Sequence, residues 1–264
     1  MDQFVAWLGA VLPTFLLVLA RTLGLMLQAP VIGNRNLLPA PVRMSIAVLL
    51  SIVVMMLLPS YPHVPDMLLA FVLMLLTEFM LGALFGFAAS FMFMAAQSAG
   101  ELFGVQAGMS FASTMNPLLH TQVNAFGTLY QQIGYILFLV IGGHLWMIRG
   151  FVESFQLVPL GTFMLRPALA QQFIEMSGTF LAITVQLALP AVLVLFLSDL
   201  AVGYMAKSAP QSQSITQELV MTLKPYAGLL LLVLVMPNIA SALTALTEQM
   251  IRNLDLFLRL SQPR

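Results

Sequence analysis

The sequence predicts an all-α integral membrane protein built from helical hairpins, with about six long, kinked hydrophobic helices. Sixty per cent of its 264 residues are apolar, and the mean hydropathy is +0.98. Only 8% of the residues are charged, against about 25% in ordinary globular domains. Apolar stretches that approach or exceed the roughly 20 residues needed to cross a bilayer alternate with gaps rich in proline. A chain of this composition is expected to lie in lipid rather than in water.

Six segments qualify as spanning helices. Pro13, Pro190 and Pro237 lie inside apolar runs, where we expect kinks whose freed backbone groups are satisfied by neighbouring helices. The first segment begins at Phe4 without a positively charged leader or a cleavage motif, so we expect a retained helix rather than a signal peptide. The six segments are 4–27, 42–58, 67–98, 123–148, 176–205 and 226–247.

The composition excludes several classes of function. Ten basic residues balance ten acidic ones, so the chain has no basic surface for nucleic acid. It has no cysteine, and therefore no disulfide, thiolate metal site or sulfur-linked lipid. His63, His120 and His144 show no metal-binding spacing, and no hydrolase, zinc-protease or phosphate-loop motif is present. We therefore expect neither an enzyme nor a cofactor or metal.

The stretch from Leu102 to Ile148 contains 47 consecutive residues without Asp, Glu, Lys or Arg. Its first part is nevertheless polar and contains glycine, and Pro117 after Asn116 excludes a regular helix there. Uncharged polar backbone at membrane depth is tolerated where it is buried in protein or lines a watery cavity. The stretch therefore predicts a loop packed inside a pore or an assembly, with a plain hydrophilic loop as the alternative.

Small residues recur at every fourth position along two parts of the chain. Such ladders let helix backbones approach closely in a membrane, where lipid supplies no hydrophobic drive for association. We therefore expect tight helix–helix contacts around the uncharged loop. Gly82, Gly86 and Ser90 form the first ladder, and Ala96, Gly100, Gly104 and Gly108 form the second.

Four ionisable residues, Arg21, Glu78, Glu101 and Asp199, lie in or at the ends of apolar runs. Ionisable groups at membrane depth are costly and are therefore candidates for function. The carboxylates could bind ions in a secondary transporter. Alternatively, these groups pair with one another or with partner chains and fix the register of the helices. A transporter would purify alone or as a symmetric homo-oligomer, which distinguishes it from a subunit that needs different partner chains.

Residues 207–225 are the most polar stretch between two long apolar runs. Ser214 with Gln217 three residues later fits a capping box, which predicts a short helix from Ile215 toward Lys224. The two apolar helices on either side would then form a long hairpin.

Three parts of the sequence carry a family pattern: RTLGLMLQAPVIGNRNLLPAPVRMSIAVLLS at 21–51, TEFMLGALFGF with AAQSAGELFGVQAGMSFASTMNP at 77–117, and PAVLVLFLSDLAVGYMAKSAPQ at 190–211. In this order they resemble the FliR family of flagellar export-gate proteins, called SctT in injectisomes. The resemblance covers most of the chain from 21 to 237. One departure lies at the hairpin tip, where the family usually has Asn-Val-Phe and this chain has Ser212, Gln213 and Ser214.

The resemblance implies that the chain works with FliP and FliQ in the gate of a type III secretion system. One FliR-like chain would complete a helical ring made of several copies of those partners, and FlhB would join the gate on its cytoplasmic side. Unfolded flagellar subunits would pass through, driven by the proton-motive force and an associated ATPase. The implied location is the bacterial inner membrane at the flagellar basal body, with parts above the bilayer on the periplasmic side.

The resemblance also implies a single FliR-like domain over 1–264. Within it, a FliP-like part would cover about 1–179 and a FliQ-like hairpin about 180–250. The segment TQELVMTLKPYAGL at 216–229 is itself similar to FliQ sequences.

In the FliR family, the segment that matches 104–117 projects into the closed channel as a plug. Glycine would allow sharp backbone turns there, while methionine and phenylalanine supply apolar bulk that adapts to a changing chain. We hypothesise that Met109, Phe111 and Met115 block ion leakage at rest, with ordinary core packing as the alternative for these side chains. For the whole chain, another possibility is that it only nucleates the assembly while other chains form the channel. The implied plug residues are Gly104, Gln106, Gly108, Met109, Ser110, Phe111, Met115, Asn116 and Pro117.

Overall fold

A computed structural model describes residues 2–35, 37–58, 65, 67–108, 125–208 and 213–261. All the regular secondary structure in these ranges is helical, and none of their residues forms a strand. The helices are α1 (Asp2–Gln28), α2 (Ala40–Leu57), α3 (Leu68–Gln106), α4 (Ala125–Val140), α5 (Gly143–Leu157), α6 (Pro167–Ser208) and α7 (Gln213–Leu260).

Five of these helices are long and apolar enough to cross a membrane, and α4 with α5 adds a sixth span if the broken pair counts as one. This confirms the predicted all-α membrane class. The fourth predicted span, 123–148, is wrong as one continuous helix, because the chain breaks at Ile141 and Gly142. Gly142 has φ +78°, a left-handed conformation that glycine adopts without steric penalty.

Three helices are much longer than a bilayer requires. Helices α3, α6 and α7 contain 39, 42 and 48 residues, which corresponds to about 60 to 70 Å, against about 30 Å of hydrocarbon. The short helix predicted from Ile215 is not separate, because it is the beginning of α7, which continues through Pro225 and Pro237. Pro13 and Pro190 likewise lie inside α1 and α6. Proline therefore does not end the helix at these four positions, whereas α2 and α5 end just before Pro59 and Pro159.

The chain divides into two compact units, and α3, α6 and α7 each contribute to both. Unit 1 comprises 1–91, 142–176 and 248–264, and unit 2 comprises 92–141 and 177–247. The predicted division into a FliP-like and a FliQ-like part near residue 180 rests on sequence resemblance, and the compact units do not test it. It therefore stays a prediction.

Aromatic rings form the centre of unit 1. The Phe85 ring contacts Phe151 and Phe257, with centroid separations of 6.0 and 6.4 Å, and Phe173 contacts Phe257 at 5.9 Å. Phe85, Phe151 and Phe257 are completely or almost completely buried. Tilted and edge-on contacts of this kind contribute about 0.5–1.5 kcal/mol each beyond area burial. They join α3, α5, α6 and α7 within the unit.

Glycine brings helix backbones into direct contact in each unit. In unit 1, a Cβ added at Gly82 on α3 would overlap the carbonyl oxygen of Arg21 on α1, and one at Gly86 would lie 2.7 Å from the carbonyl oxygen of Leu25. In unit 2, a Cβ added at Gly100 would lie 2.5 Å from the carbonyl oxygen of Phe126 on α4. Because backbone atoms cannot rotate aside as a side chain can, these positions require glycine.

Candidate functional site

A fully buried ion pair lies in unit 1. Arg21 of α1 and Glu78 of α3 are both 0% exposed, and Arg21 Nε donates to Glu78 Oε2 at 2.6 Å. The two terminal nitrogens of the guanidinium donate to the carbonyl oxygens of Ser154 at 3.1 Å and Val158 at 3.0 Å. The ring of Phe155 lies 4.2 Å from the guanidinium carbon. One cation therefore ties α1, α3 and the end of α5 together.

Each contact of this buried pair has an identifiable physical cause. The last carbonyl groups of a helix carry the negative end of the helix dipole, which favours an arginine at the end of α5. The Ser154 carbonyl accepts from the backbone N–H of Val158 at 2.9 Å as well as from Arg21. The second oxygen of Glu78 accepts from the backbone N–H of Gly161 at 2.7 Å. Each nitrogen of the guanidinium and each oxygen of the carboxylate thus has a hydrogen-bond partner within the chain, as burial of a charge requires.

A second polar cluster lies in unit 2, where α3 ends. Asp199 of α6 accepts from Lys224 Nζ of α7, at 2.7 Å on Oδ1 and 2.8 Å on Oδ2. Gln106, the last residue of α3, donates from Nε2 to Asp199 Oδ2 at 2.8 Å. We call Gln106, Asp199 and Lys224 the polar triad. It fastens the end of α3 to both helices of the long hairpin.

The chain leaves α3 immediately after the polar triad. Gly108 has φ +82°, and its N–H donates to the carbonyl of Val105 at 3.1 Å, which ends the helix in a left-handed glycine cap. On the far side of residues 109–124, α4 begins at Ala125. Phe126 then contacts Phe103 of α3 with a centroid separation of 4.6 Å.

Helix α7 completes this aromatic contact. A Cβ added at Gly228 would lie 3.0 Å from Ala107 Cβ and within 3.6 Å of the Phe103 and Phe126 rings. Both rings are almost fully buried. Residues 108 and 125, which border the segment 109–124, are therefore adjacent to one packed aromatic cluster. We call the polar triad together with this cluster the loop base.

Glu101 belongs to a row of side-chain hydrogen bonds between α3 and α4. Gln97 Nε2 donates to Glu101 Oε1 at 2.9 Å, and Gln131 Nε2 donates to Gln97 Oε1 at 2.7 Å. Gly127 makes room for this row, because a Cβ there would lie 2.7 Å from Glu101 Cγ. Unlike Glu78, Glu101 is exposed.

The structure brings together predicted site residues that are far apart in sequence. Arg21 meets Glu78, and Gln106 meets Asp199, whereas Glu101 belongs to neither group. Gly104 is a buried residue of α3, Gly108 lies beside Lys224 of the polar triad, and the three helix-packing glycines Gly82, Gly86 and Gly100 lie at backbone contacts. The remaining predicted plug residues lie outside the described residues: Met109, Ser110, Phe111, Met115, Asn116 and Pro117.

Sequence reasoning missed the partners of these groups. Lys224 was assigned only to the end of a short helix, and Ser154, Gln97 and Gln131 were not singled out. One signal for Lys224 was present, because it and Asp199 each stand at the hairpin end of an uncharged apolar run. Within the described ranges, no group of three or more His, Asp or Glu side chains could hold a metal ion.

Comparison with known proteins gives a consistent set of relatives. The family model described as "Bacterial export proteins, family 1" matches residues 12–250. Flagellar biosynthetic protein FliR of Escherichia coli (strain K12) is 28% identical over 242 residues, which are 90% of this chain and 88% of that protein. FliR of Pectobacterium carotovorum subsp. carotovorum is 30% identical over 199 residues, 72% of each chain. Yop proteins translocation protein T of Yersinia pestis is 29% identical over 203 residues, 75% of this chain and 76% of that protein.

Proposed function

The chain belongs to the bacterial export proteins, family 1, and from this membership we propose that it is a channel subunit of a type III export gate. Its relatives are flagellar biosynthetic and secretion proteins, so it is an inner-membrane component of a flagellar or type III export apparatus. In the proposed gate, one copy assembles with several copies of FliP and FliQ, and FlhB binds on the cytoplasmic side. Unfolded flagellar subunits pass through the channel at the basal body.

The segment 104–117 is proposed to close this channel at rest. The observation that carries this proposal is the loop base, which holds the end of α3 and the start of α4 on one packed cluster. The residues on either side of 109–124 are therefore held at one place, which would fix where the proposed plug is attached. The absence of charge from 102 to 148 supports the same role, because a charged group would attract water and ions into a closed pore.

Apolar bulk is what makes such a loop a barrier. A constriction lined by apolar side chains empties of water, and an ion then faces the full cost of losing its hydration. Met109, Phe111 and Met115 are the proposed source of this bulk, and methionine can repack when a polypeptide enters.

Subunit composition tests the assembly part of the proposal. The chain is affinity-purified in mild detergent after co-expression with its neighbouring genes, and the complex is weighed by native mass spectrometry. One copy bound to several copies each of two other small membrane proteins is the expected result. A monomer or symmetric homodimer would instead favour the alternative, a secondary transporter that uses intramembrane carboxylates.

Ion conductance tests the plug. Deletion of 109–117 leaves the loop base intact and is expected to raise the resting conductance of the assembled gate. Two matched variants separate bulk from chain length: replacement of Met109, Phe111 and Met115 by serine should also raise conductance, whereas replacement by leucine should not. Unchanged conductance in a normally assembled deletion variant would remove the plug from the proposal.

A further inference from the structure

The end of α3 is joined to α4 by close, buried contacts within unit 2. The Phe103 and Phe126 rings have a centroid separation of 4.6 Å, and both are almost fully buried. The backbones of the two helices approach so closely at Gly100 that an added Cβ would lie 2.5 Å from the Phe126 carbonyl oxygen. The hydrogen bond from Gln131 to Gln97, at 2.7 Å, continues this contact along both helices. The end of α3 and the start of α4 should therefore move together.

The same end of α3 meets the α6–α7 hairpin through weaker contacts. Ala107 lies against Gly228 of α7, where an added Cβ would lie 3.0 Å from the Ala107 Cβ, and glycine offers no side chain that could interlock with α3. Gln106 Nε2 donates to Asp199 Oδ2 at 2.8 Å. The side chain of Asp199 is 39% exposed, so water can replace this hydrogen bond at small cost. The contact of α3 with the hairpin is therefore easier to break than its contact with α4.

Lys224 holds the carboxylate to which Gln106 is bonded. Its Nζ lies 2.7 Å from Asp199 Oδ1 and 2.8 Å from Oδ2. Because both charged groups belong to the hairpin, the ion pair stays intact if α3 moves away. Gln106 contributes an uncharged amide, so its departure leaves no unpaired charge behind. Separating a buried ion pair would instead leave two uncompensated charges, which is costly.

We propose that the hydrogen bond between Gln106 and Asp199 is a latch that holds the end of α3 on the hairpin in the closed gate and breaks when the gate opens. The end of α3 and the start of α4 then leave the hairpin together, and Lys224 keeps Asp199 in position for the bond to form again. Gln106 is two residues before Gly108, where the chain leaves the helix, so a movement of α3 there displaces the attachment of the proposed plug. This inference rests on the channel function proposed above.

The resting conductance of the assembled gate, recorded in a planar bilayer, tests the latch. Gln106→Met keeps the length of the side chain but removes the hydrogen bond. It should raise the time-averaged conductance about fivefold, the size expected for loss of a half-exposed hydrogen bond to a charged group. Gln171→Met is the matched control, because Gln171 donates to Glu175 at 3.4 Å on the exposed surface of α6; it should leave the conductance unchanged.

An exchange of charge between α3 and the hairpin should have the opposite effect. Lys224 and Gln106 bind the same oxygen of Asp199, so Lys224 is within reach of a carboxylate at position 106. The double variant Gln106→Glu with Asp199→Asn keeps the net charge but puts the anion on α3, and opening must then separate an ion pair. This variant should not raise the resting conductance and should slow export. A purely structural role of the triad would not give opposite effects in the two variants.

A disulfide between α3 and the hairpin gives a second measurement. The chain has no cysteine, so Ala107→Cys with Gly228→Cys introduces a single pair. The 3.0 Å between the Ala107 Cβ and a Cβ added at Gly228 is slightly below the roughly 3.5–4.5 Å found in disulfides, so a small separation admits the bond. The oxidised gate should stay closed and export no substrate, and reduction of the same sample should restore export. Each single-cysteine variant, treated with the same oxidant, should export normally.

The deletion of 109–117 separates failure of the latch from failure of the proposed function. If the deletion raises the conductance while Gln106→Met does not, or if the oxidised gate exports as well as the reduced one, the latch is overturned and the channel proposal stands. If the deletion leaves the conductance unchanged, the proposed plug fails and the latch fails with it. Native mass spectrometry of each complex checks that its subunit composition matches that of the unsubstituted gate.

Discussion

Glu78→Gln should destabilise the protein far more than any surface charge change. The substitution keeps the shape of the side chain but leaves the guanidinium of Arg21, which is 0% exposed, without a counter-ion. The new amide also cannot accept from both Arg21 Nε and the Gly161 N–H through two oxygens, as the carboxylate does. Removing one partner of a buried ion pair typically costs about 3–5 kcal/mol, so we expect a loss in that range.

The chain contains a matched control for this substitution. Arg149 and Glu153 form an ion pair at 3.0 Å in the same unit, but their side chains are 68% and 46% exposed. Exposed pairs of this kind contribute about 0–1 kcal/mol. Glu153→Gln removes the same charge by the same chemistry and should therefore cost less than about 1 kcal/mol.

The assay is equilibrium unfolding of the full chain in mixed detergent micelles with increasing sodium dodecyl sulfate, followed by circular dichroism. A double variant, Arg21→Met with Glu78→Leu, separates charge from capping. It removes the unpaired charge, so it should recover part of the loss, but the Val158 carbonyl loses the Arg21 donor while the Ser154 carbonyl keeps the N–H of Val158. Equal losses for Glu78→Gln and Glu153→Gln would refute the claim that the buried pair stabilises this unit.

Three further substitutions probe the glycine contacts and the loop base, with the same unfolding assay. Gly82→Ala should lower the free energy of unfolding by about 1–3 kcal/mol, because the new methyl group overlaps a backbone carbonyl of α1. The control is Gly178→Ala, which should be neutral or slightly stabilising because no atom lies within 4 Å of an added Cβ. Similar losses at both positions would contradict the packing argument. Asp199→Asn leaves Lys224 without its anion and should lower the free energy of unfolding by about 1–2 kcal/mol, less than for a buried pair because the aspartate is 39% exposed. Adding Lys224→Met to this variant should recover most of the loss. No recovery would argue against charge pairing. Phe126→Ala empties the aromatic cluster and should cost about 3–5 kcal/mol, so a loss below 1 kcal/mol would show that the loop base is not packed as described.

The class of the protein was predictable because it depends on composition, which needs no geometry. Low charge and long apolar runs require a membrane helix whatever the packing is. Proline and glycine were less reliable guides. Pro225 was expected between elements but lies inside α7, whereas the break at Gly142 was not expected. A membrane helix can continue through a proline where neighbouring groups satisfy the freed backbone hydrogen bonds.

The partners of the polar groups were not predictable, for a different physical reason. Whether two ionisable side chains meet depends on the rotation, depth and separation of their helices, and a single sequence contains none of these. Arg21 and Glu78 are 57 residues apart, and Gln106 and Asp199 are 93 apart. The sequence identified most of these residues as costly to bury, but it left open transport, subunit contact and internal pairing.

The sequence by itself determined that this chain is a helical membrane protein, that one stretch of 47 residues lacks charge, and that its motifs are those of an export family. These properties follow from residue type and spacing along the chain. Only the tertiary structure decided that Arg21 binds Glu78 inside the protein, and that Gln106, Asp199 and Lys224 hold the end of α3 to the hairpin. Those results depend on distances between helices. Hydrogen bonds and ion pairs form over about 3 Å in space, and the number of residues between two positions does not give that distance.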